Sequence, residues 1–246
     1  MRSTNVEAGR YLHSKYREAQ RLIITCSPRP STPQTIGTTL LDTYYEVISK
    51  DPAYRFPMGY VKETQTGVFI PSSIDIVRQT LTQLIEKKII DPTKPFLDAG
   101  CGDGRIVALA SSLGIPAWGI ESDEELGAMA KQNLINLHSL EVIKDTPAFI
   151  VHGDFCSDAT YKVLGSPFSD FRTIYNYDNN YDLLAKKIAE DANPATVYVL
   201  YSGDESSENF MGLNLIDELV LNDQSGRPHV DLELTQAYVR IYRKES

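Results

Sequence analysis

Apolar positions along this chain follow two different patterns, and each pattern predicts a different kind of element. Apolar side chains return at every third or fourth residue in four segments, which predicts helices with one buried face at 74–85, 105–113, 123–138 and 181–191. Short apolar runs lie between these segments and predict buried strands at 96–98, 117–121, 148–152, 173–177 and 196–202. Strands that alternate with helices of this length indicate right-handed βαβ units on a parallel sheet.

The end of the chain departs from this alternation. Residues 215–222 and 232–242 are two strand-like runs, and the segment between them is rich in turn-forming residues and shows no helical pattern. Two strands joined in this way predict an antiparallel hairpin. The expected fold class is therefore α/β, with a doubly wound, seven-stranded and mostly parallel sheet that finishes in a C-terminal antiparallel hairpin.

The N-terminal part of the chain carries no catalytic signature and follows a different pattern. Apolar residues at helical spacing predict a surface helix over 1–24 and a second helix over 38–50. Prolines and glycines punctuate the rest of this part and predict loop, within which the polar stretch 58–67 is a candidate lid. We therefore expect residues 1–71 to form a helical extension that serves as a cap or lid, and residues 72–246 to form the main domain.

Composition and charge exclude several classes of binding partner. The chain has 246 residues, with 24 basic and 33 acidic side chains and a formal net charge of −9, which argues against a general nucleic-acid binder because such proteins rely on cations that meet phosphates. No apolar window is long enough to span a membrane, and the N-terminus lacks the pattern of a signal peptide. The three cysteines form no CxxC pair, and the histidines show no metal-ligand spacing. We expect a cytoplasmic protein that uses neither a membrane nor a metal.

The loop after the first strand of the main domain carries the strongest functional signal. It reads Asp-Ala-Gly-Cys-Gly-Asp-Gly over residues 98–104, so a buried strand ends in a carboxylate and three glycines lead into a helix. Glycine lets the backbone turn sharply and approach a ligand closely, and the helix N-terminus adds free N–H groups. The dinucleotide fingerprint is GxGxxG, whereas the spacing here is GxGxG and the Asp98 carboxylate would repel a pyrophosphate. The loop therefore suits a ligand with an ammonium group.

Two further acidic residues lie at the ends of the next two strands. Glu121 ends the second strand, where a carboxylate can accept hydrogen bonds from both hydroxyls of a ribose. Asp154 follows the third strand, where it can accept from the exocyclic amine of an adenine, while Phe155 offers a ring face or a backbone N–H. Three acids at three consecutive strand ends are more than chance placement of solvated carboxylates would produce, and together they suit an ammonium, a ribose and an adenine.

With these motifs the sequence resembles the class I S-adenosylmethionine-dependent methyltransferases. Residues 98–104 match the first motif of that family, Glu121 the second-strand acid, and 153–155 the motif after the third strand, within a similar region that spans about 72–243. The resemblance implies S-adenosyl-L-methionine as the cofactor. It also implies a set of cofactor-binding residues: Asp98, Gly100, Cys101, Gly102, Gly104, Glu121, Ser122, Asp154, Phe155 and Asn176.

A narrower resemblance is to the class I protein lysine methyltransferases, which include the non-SET histone methyltransferases. It depends on Phe-Ile-Pro-Ser at 69–72, on the continuation of the first motif to Val107, and on an Asn-rich stretch that follows the fourth strand. In that fold the end of the fourth strand lies beside the transferable methyl group. The resemblance implies that Asn176 orients the nucleophile and that Tyr175 and Tyr177 form walls of the site, so these three residues are the candidate catalytic residues.

The expected function is in-line methyl transfer from S-adenosylmethionine, to a nitrogen on a protein side chain or a small molecule. Such a displacement needs alignment of the reactants and exclusion of water more than it needs acid or base chemistry. The fourth-strand motif is not the Asn/Asp-Pro-Pro-Tyr/Phe pattern of enzymes that methylate planar amino groups, which again argues against a nucleic-acid acceptor. Two alternatives stay open: an aminopropyl transferase that uses a related cofactor, and a module that binds the cofactor without transfer. The acceptor and the oligomeric state stay open as well.

Overall fold

The computed structural model of the protein describes residues 33–57, 60–143, 145–202, 209–223 and 236–245. The helices are α1 (Pro33–Lys50), α2 (Ile74–Glu86), α3 (Arg105–Ser112), α4 (Glu124–Ser139), α5 (Asp158–Leu164) and α6 (Tyr181–Asp191). The strands are β1 (Lys62–Thr64), β2 (Gly67–Phe69), β3 (Phe96–Ala99), β4 (Ala117–Glu121), β5 (Ala148–His152), β6 (Thr173–Tyr177), β7 (Val197–Ser202), β8 (Leu213–Leu221) and β9 (Ala237–Lys244).

Strands β3 to β9 form one seven-stranded sheet in the order β5-β4-β3-β6-β7-β9-β8. All neighbouring pairs are parallel except those of β9, which runs antiparallel to both β7 and β8. This architecture confirms the predicted α/β class with its C-terminal hairpin. The direction of winding reverses between β3 and β6, and in such sheets ligands bind at the carboxyl ends of the strands beside that switch point.

Two apolar layers cover the two faces of the sheet. Successive residues of a strand point to opposite faces, so Phe96 packs in the layer that contains α1, α2 and α3, while Leu97 packs in the layer that contains α6. Both side chains are fully buried, as is Asp98, which lies between Gly119 of β4 and Tyr175 of β6. The polar end of β3 is thus held at the centre of the molecule.

The N-terminal part holds both a confirmed prediction and a correction. The helix predicted over 38–50 is confirmed and begins at Pro33. The loop predicted over 51–71 is wrong in part, because β1 and β2 pair there as a small antiparallel hairpin. Each of these strands has only three residues, too few to show an alternating pattern, and the turn between them is closed by a hydrogen bond of 2.9 Å from the Thr64 hydroxyl to the Gly67 carbonyl. The helix predicted over 1–24 lies outside the described residues.

The remaining elements follow the predicted positions with small shifts at their ends. The helix after Ser73 is confirmed, and the Ser73 hydroxyl accepts a hydrogen bond from the Ile76 amide at 3.1 Å as its N-cap. Helix α5 was not predicted, because its short turn buries little more than Thr160 and Tyr161 and shows no apolar period. Among the described residues, no helix combines the length and the hydrophobicity needed to cross a membrane.

Candidate active site

The glycine loop after β3 adopts a conformation that requires glycine. Gly100, Gly102 and Gly104 all have positive φ angles, of 82°, 53° and 80°. A side chain at Gly102 is further excluded, because a Cβ there would lie 2.3 Å from the ring of Phe69. The loop then leads into α3 at Arg105. The sequence prediction of a tight glycine turn at the start of a helix is therefore matched by the backbone.

Asp98 has the most unusual environment in this region. Its side chain is 2% exposed, and its Oδ2 atom has no hydrogen-bond partner among the described residues. Burial, followed by the charges of Glu121 and Asp103, raises the pKa of the Asp98 carboxyl well above its usual range. An unpaired carboxylate oxygen at the edge of a cleft is costly unless a ligand supplies a donor. The ammonium group predicted from the sequence is such a donor.

Glu121 is held in place by two backbone amides. Its Oε2 accepts from the Gly102 amide at 2.8 Å, and its Oε1 accepts from the Asp123 amide at 2.9 Å. A carboxylate has about four lone-pair sites, so each oxygen keeps capacity for one further donor. The side chain lines the same cleft as Asp98 and is 7% exposed. Its position and free capacity are what two ribose hydroxyls need.

Of the two residues predicted to bind the cofactor after β5, Phe155 lines the cleft and Asp154 does not. Phe155 lines the cleft, and its ring lies 3.8 Å from the position that a Cβ on Gly100 would take. Asp154 is exposed and caps its own turn, since its Oδ1 accepts from the Cys156 amide at 2.7 Å. Ser122 and Cys101 line the cleft beside Glu121. The contact of Asp154 with an adenine amine stays a prediction.

The fourth strand supplies the side of the cleft where an acceptor is expected. The Asn176 amide donates to the Ala99 carbonyl at 2.7 Å, and its Oδ1 has no hydrogen-bond partner in the described part of the chain. Tyr177 lines the cleft, and its ring centroid lies 4.5 Å from that of Tyr201. Tyr175 lies deeper, fully buried, and its hydroxyl donates to Ser72 at 2.9 Å. Tyr177 thus reaches the cleft, whereas Asn176 and Tyr175 are buried and are not among the residues that line it.

An ion pair within the glycine loop was not predicted from the sequence. Asp103 is fully buried and pairs with Arg105, whose Nη2 lies 2.7 Å from Oδ2. Burial alone would lower the pKa of Arg105, but the charge and hydrogen bonds of Asp103 outweigh it and hold the arginine protonated. The guanidinium lies between two aromatic rings, 5.0 Å from the centroid of Tyr45 and 5.6 Å from that of Tyr60.

The N-terminal elements support the glycine loop through this pair and through a second chain of hydrogen bonds. Tyr60 donates to Asp103 Oδ2 at 3.0 Å. Tyr44 of α1 donates to the side chain of Asn133 at 2.9 Å, and Asn133 in turn donates to the Asp103 carbonyl at 2.9 Å. No local sequence signal marks these tyrosines, because their partners are far away in the chain. The N-terminal region therefore helps to shape the loop rather than only covering it.

Comparison with known proteins shows similarity in structure but none in sequence families. No family model matches the sequence, and no curated protein matches it. A structure solved in work on the conversion of a disulfide bond into a thioacetal group during echinomycin biosynthesis superposes with a TM-score of 0.50 and 15% identity, over 81% of this chain and 92% of that chain. An RNA methyltransferase from Salinibacter ruber in complex with S-adenosyl-L-homocysteine gives 0.47 and 19%, over 72% and 95%. A putative methylase from Haemophilus influenzae gives 0.49 and 16%, over 71% and 92%. At these identities the similarity concerns the fold alone.

Proposed function

We propose that this protein is an S-adenosylmethionine-dependent methyltransferase that acts on a nitrogen atom of a protein side chain or a small molecule. The observation that carries the proposal is the buried Asp98 carboxylate, whose Oδ2 is left without a donor at the edge of the cleft. The amino group of the cofactor's methionine part is a donor of matching charge. A dinucleotide offers no cation at that place, and its pyrophosphate would meet like charge.

Different residues around the cleft would bind different parts of such a cofactor. Asp98 would accept from the ammonium group, and the free lone pairs of Glu121 would accept from the ribose hydroxyls. Phe155 provides an apolar ring on the side where an adenine is expected. The cofactor supplies a methyl group on a sulfonium, which is a good leaving group. The protein is therefore required mainly to align the two reactants and to exclude water.

The aromatic side chains of Tyr177 in β6 and Tyr201 in β7 favour a nitrogen acceptor. Tyr177 and Tyr201 lie in contact, and burial raises the pKa of both phenols, so both stay neutral near pH 7. The faces of neutral tyrosine rings attract a cationic amine. A site closed to water then lowers the pKa of that amine, so that the neutral nucleophile becomes available. Asn176 Oδ1, which lacks a hydrogen-bond partner in the described residues, can accept an N–H of the acceptor.

Calorimetric titration tests the cofactor assignment. We expect S-adenosylmethionine and S-adenosylhomocysteine to bind with dissociation constants of about 1–100 µM, and NAD not to bind. Binding of NAD alone would contradict the interpretation of the glycine loop. The decarboxylated form of S-adenosylmethionine, which keeps the ammonium group, belongs in the same series because it is the donor of aminopropyl transferases.

Transfer of label separates an enzyme from a binding module. The protein is incubated with S-adenosylmethionine labelled in the methyl group and with fractions of proteins, nucleic acids and small molecules from a lysate. We expect label in the protein or small-molecule fraction, and we expect Asn176→Ala to lower incorporation while cofactor affinity is retained. Binding without label in any fraction would favour a non-catalytic module, and turnover of the decarboxylated cofactor alone would favour aminopropyl transfer.

Substitution of Glu121 tests the ribose assignment. We expect Glu121→Ala to weaken cofactor binding by about 1–3 kcal/mol, which is the cost of leaving the ribose hydroxyls without their acceptor. The measurement is the dissociation constant of S-adenosylhomocysteine for the variant and the wild type. Glu86→Ala is the matched control, since Glu86 is an exposed acid at the end of α2. Equal affinity of Glu121→Ala and the wild type would remove Glu121 from the site.

A further inference from the structure

The β1–β2 hairpin and the residues that flank it lie across the cleft. We refer to residues 60–70 as the strap. Its residues form one wall of the cleft, opposite Asp98 and Glu121, and the strap residues in that wall are Thr64, Thr66, Val68, Phe69 and Ile70. The cleft is thus bounded on one side by the strand-end loops that carry the candidate cofactor residues and on the other by the strap.

The strap contacts the loop that follows β4 and the first turn of α4. Lys62 Nζ lies 2.5 Å from Asp123 Oδ1 and 2.8 Å from Glu125 Oε2. Nearer the tip, the hydroxyls of Thr66 and Ser122 are hydrogen-bonded at 2.9 Å. These contacts hold the strap over the ribose side of the cleft.

The tip of the strap is also fastened to the loop that follows β6. The Asn180 side chain donates to the Thr66 carbonyl at 2.9 Å. Asn179 packs so closely on Gly67 that a Cβ there would lie 2.6 Å from its Oδ1. Asp178 and Asn180 hold positive φ angles of 42° and 52°, which non-glycine residues rarely adopt. One short turn therefore contacts both the cofactor side and the acceptor side of the cleft.

Phe69 closes the cleft over the glycine loop itself. Its ring rests on Gly102, the middle glycine, whose amide donates to Glu121. With the strap in this place the volume of the cleft is about 50 Å³. Sites for ligands of cofactor size are roughly 300–1,000 Å³. The cleft is therefore too small to hold a ligand with an adenosine and an amino acid part while Phe69 and Thr66 keep these contacts.

We propose that the strap is a gate, which lifts from Gly102 and Ser122 to admit the cofactor and closes again over it. This inference depends on the proposed function for the nature of the ligand. The contacts at the tip are polar and exposed, and the Phe69 ring that must leave Gly102 is only partly buried, so that lifting the tip leaves the main sheet intact. Because Asn180 joins the tip to the loop after β6, opening also releases the acceptor side, and the two halves of the site open together.

A reversible cross-link tests the gate directly. The Thr66 and Ser122 hydroxyl oxygens are close enough that the pair Thr66→Cys and Ser122→Cys can form a disulfide. We expect the oxidised double variant to bind S-adenosylhomocysteine at least about 100-fold more slowly than the same protein after reduction. The controls are the wild type, which contains cysteines of its own, and each single variant under the same oxidant. Equal association rates before and after reduction would overturn the gate.

Two further measurements keep the outcome clear. Asn180→Ala loosens the tip without a cross-link and should speed dissociation of S-adenosylhomocysteine by about 5- to 10-fold, whereas Gln65→Ala, an exposed change in the same turn, should not. Hydrogen exchange of the Gly102 amide, measured without cofactor, should be slower in the oxidised double variant than in the reduced one. If neither the wild type nor any variant binds the cofactor, the proposed function fails, and the exchange rates by themselves decide whether the strap opens. Unchanged exchange rates would reject the gate.

Discussion

Replacement of Arg105 by methionine lowers the free energy of unfolding by about 3–5 kcal/mol, the cost of removing one partner of a buried ion pair. Asp103, which is fully buried, then keeps a charge without its cation. The change also removes the guanidinium from between the rings of Tyr45 and Tyr60, so that packing is lost together with charge. The measurement is urea unfolding at neutral pH, followed by circular dichroism.

The matched control for this change is Arg55→Met, because Arg55 is exposed. It should shift the unfolding free energy by less than about 0.5 kcal/mol. The double variant Asp103→Asn with Arg105→Met should lose less than the sum of the single changes, since each partner is costly mainly when left alone. A loss for Arg105→Met as small as that for Arg55→Met would show that the pair does not support the loop.

The second large effect concerns Asp98, where one substitution is expected to change stability and affinity in opposite directions. Asp98→Asn replaces a buried ionisable carboxyl, whose Oδ2 has no donor within the described chain, by a neutral amide. At pH 7 the free energy of unfolding of the variant should therefore exceed that of the wild type by about 1 kcal/mol or more. The same change removes the anionic partner of the cofactor's ammonium group. Affinity for S-adenosylhomocysteine should fall roughly 10- to 100-fold, the worth of a charge-assisted hydrogen bond.

The raised pKa of Asp98 determines the direction in which stability changes with pH. Burial, with the charges of Glu121 and Asp103, raises the folded-state pKa of Asp98 above its unfolded value, so between those two pKa values the native protein holds the extra proton. The stability of the wild type therefore falls as the pH rises from about 4 through the raised pKa. The advantage of Asp98→Asn over the wild type should be absent below pH 4 and should grow across that interval.

Urea unfolding at several pH values measures both parts of the prediction, and Asp145→Asn, at an exposed acid, is the control. An advantage of Asp98→Asn that does not change with pH would mean that Asp98 carries no buried charge. A stabilised variant with undiminished cofactor affinity would instead mean that the carboxylate does not meet the ammonium group. Either result would contradict the role that the proposed function assigns to Asp98.

The N-terminal region supports the glycine loop, a role that no motif in its sequence indicates. Tyr44 and Tyr45 of α1 and Tyr60 of the strap surround the same glycine loop that carries the candidate cofactor residues. The strap then covers that loop from above. Changes in this region are therefore expected to alter cofactor exchange and the stability of the loop, even though none of its residues is a candidate for the chemical step.

The sequence alone was sufficient for the main sheet and for the expectation that Asp98 and Glu121 lie close together. Short apolar runs and an apolar period of about 3.6 residues are local patterns, and they recur along the main domain, so strands β3 to β7 and most of their helices were predicted to within a few residues. Asp98 and Glu121 could be placed together because the carboxyl ends of parallel strands share one edge of the sheet. Helix α5 was not predicted, because its seven residues bury too few apolar side chains to show a helical period.

Only the tertiary structure decided what surrounds the glycine loop. Tyr60 and Asp103 are 43 residues apart, and Tyr44 and Asn133 are 89 apart, so no local pattern marks their hydrogen bonds. The β1–β2 hairpin was predicted as loop, since strands of three residues have no measurable alternation, and they pair here over a cleft formed by distant parts of the chain. Local periodicity reports which face of an element is buried, whereas the partner that buries it is chosen by packing across the whole fold.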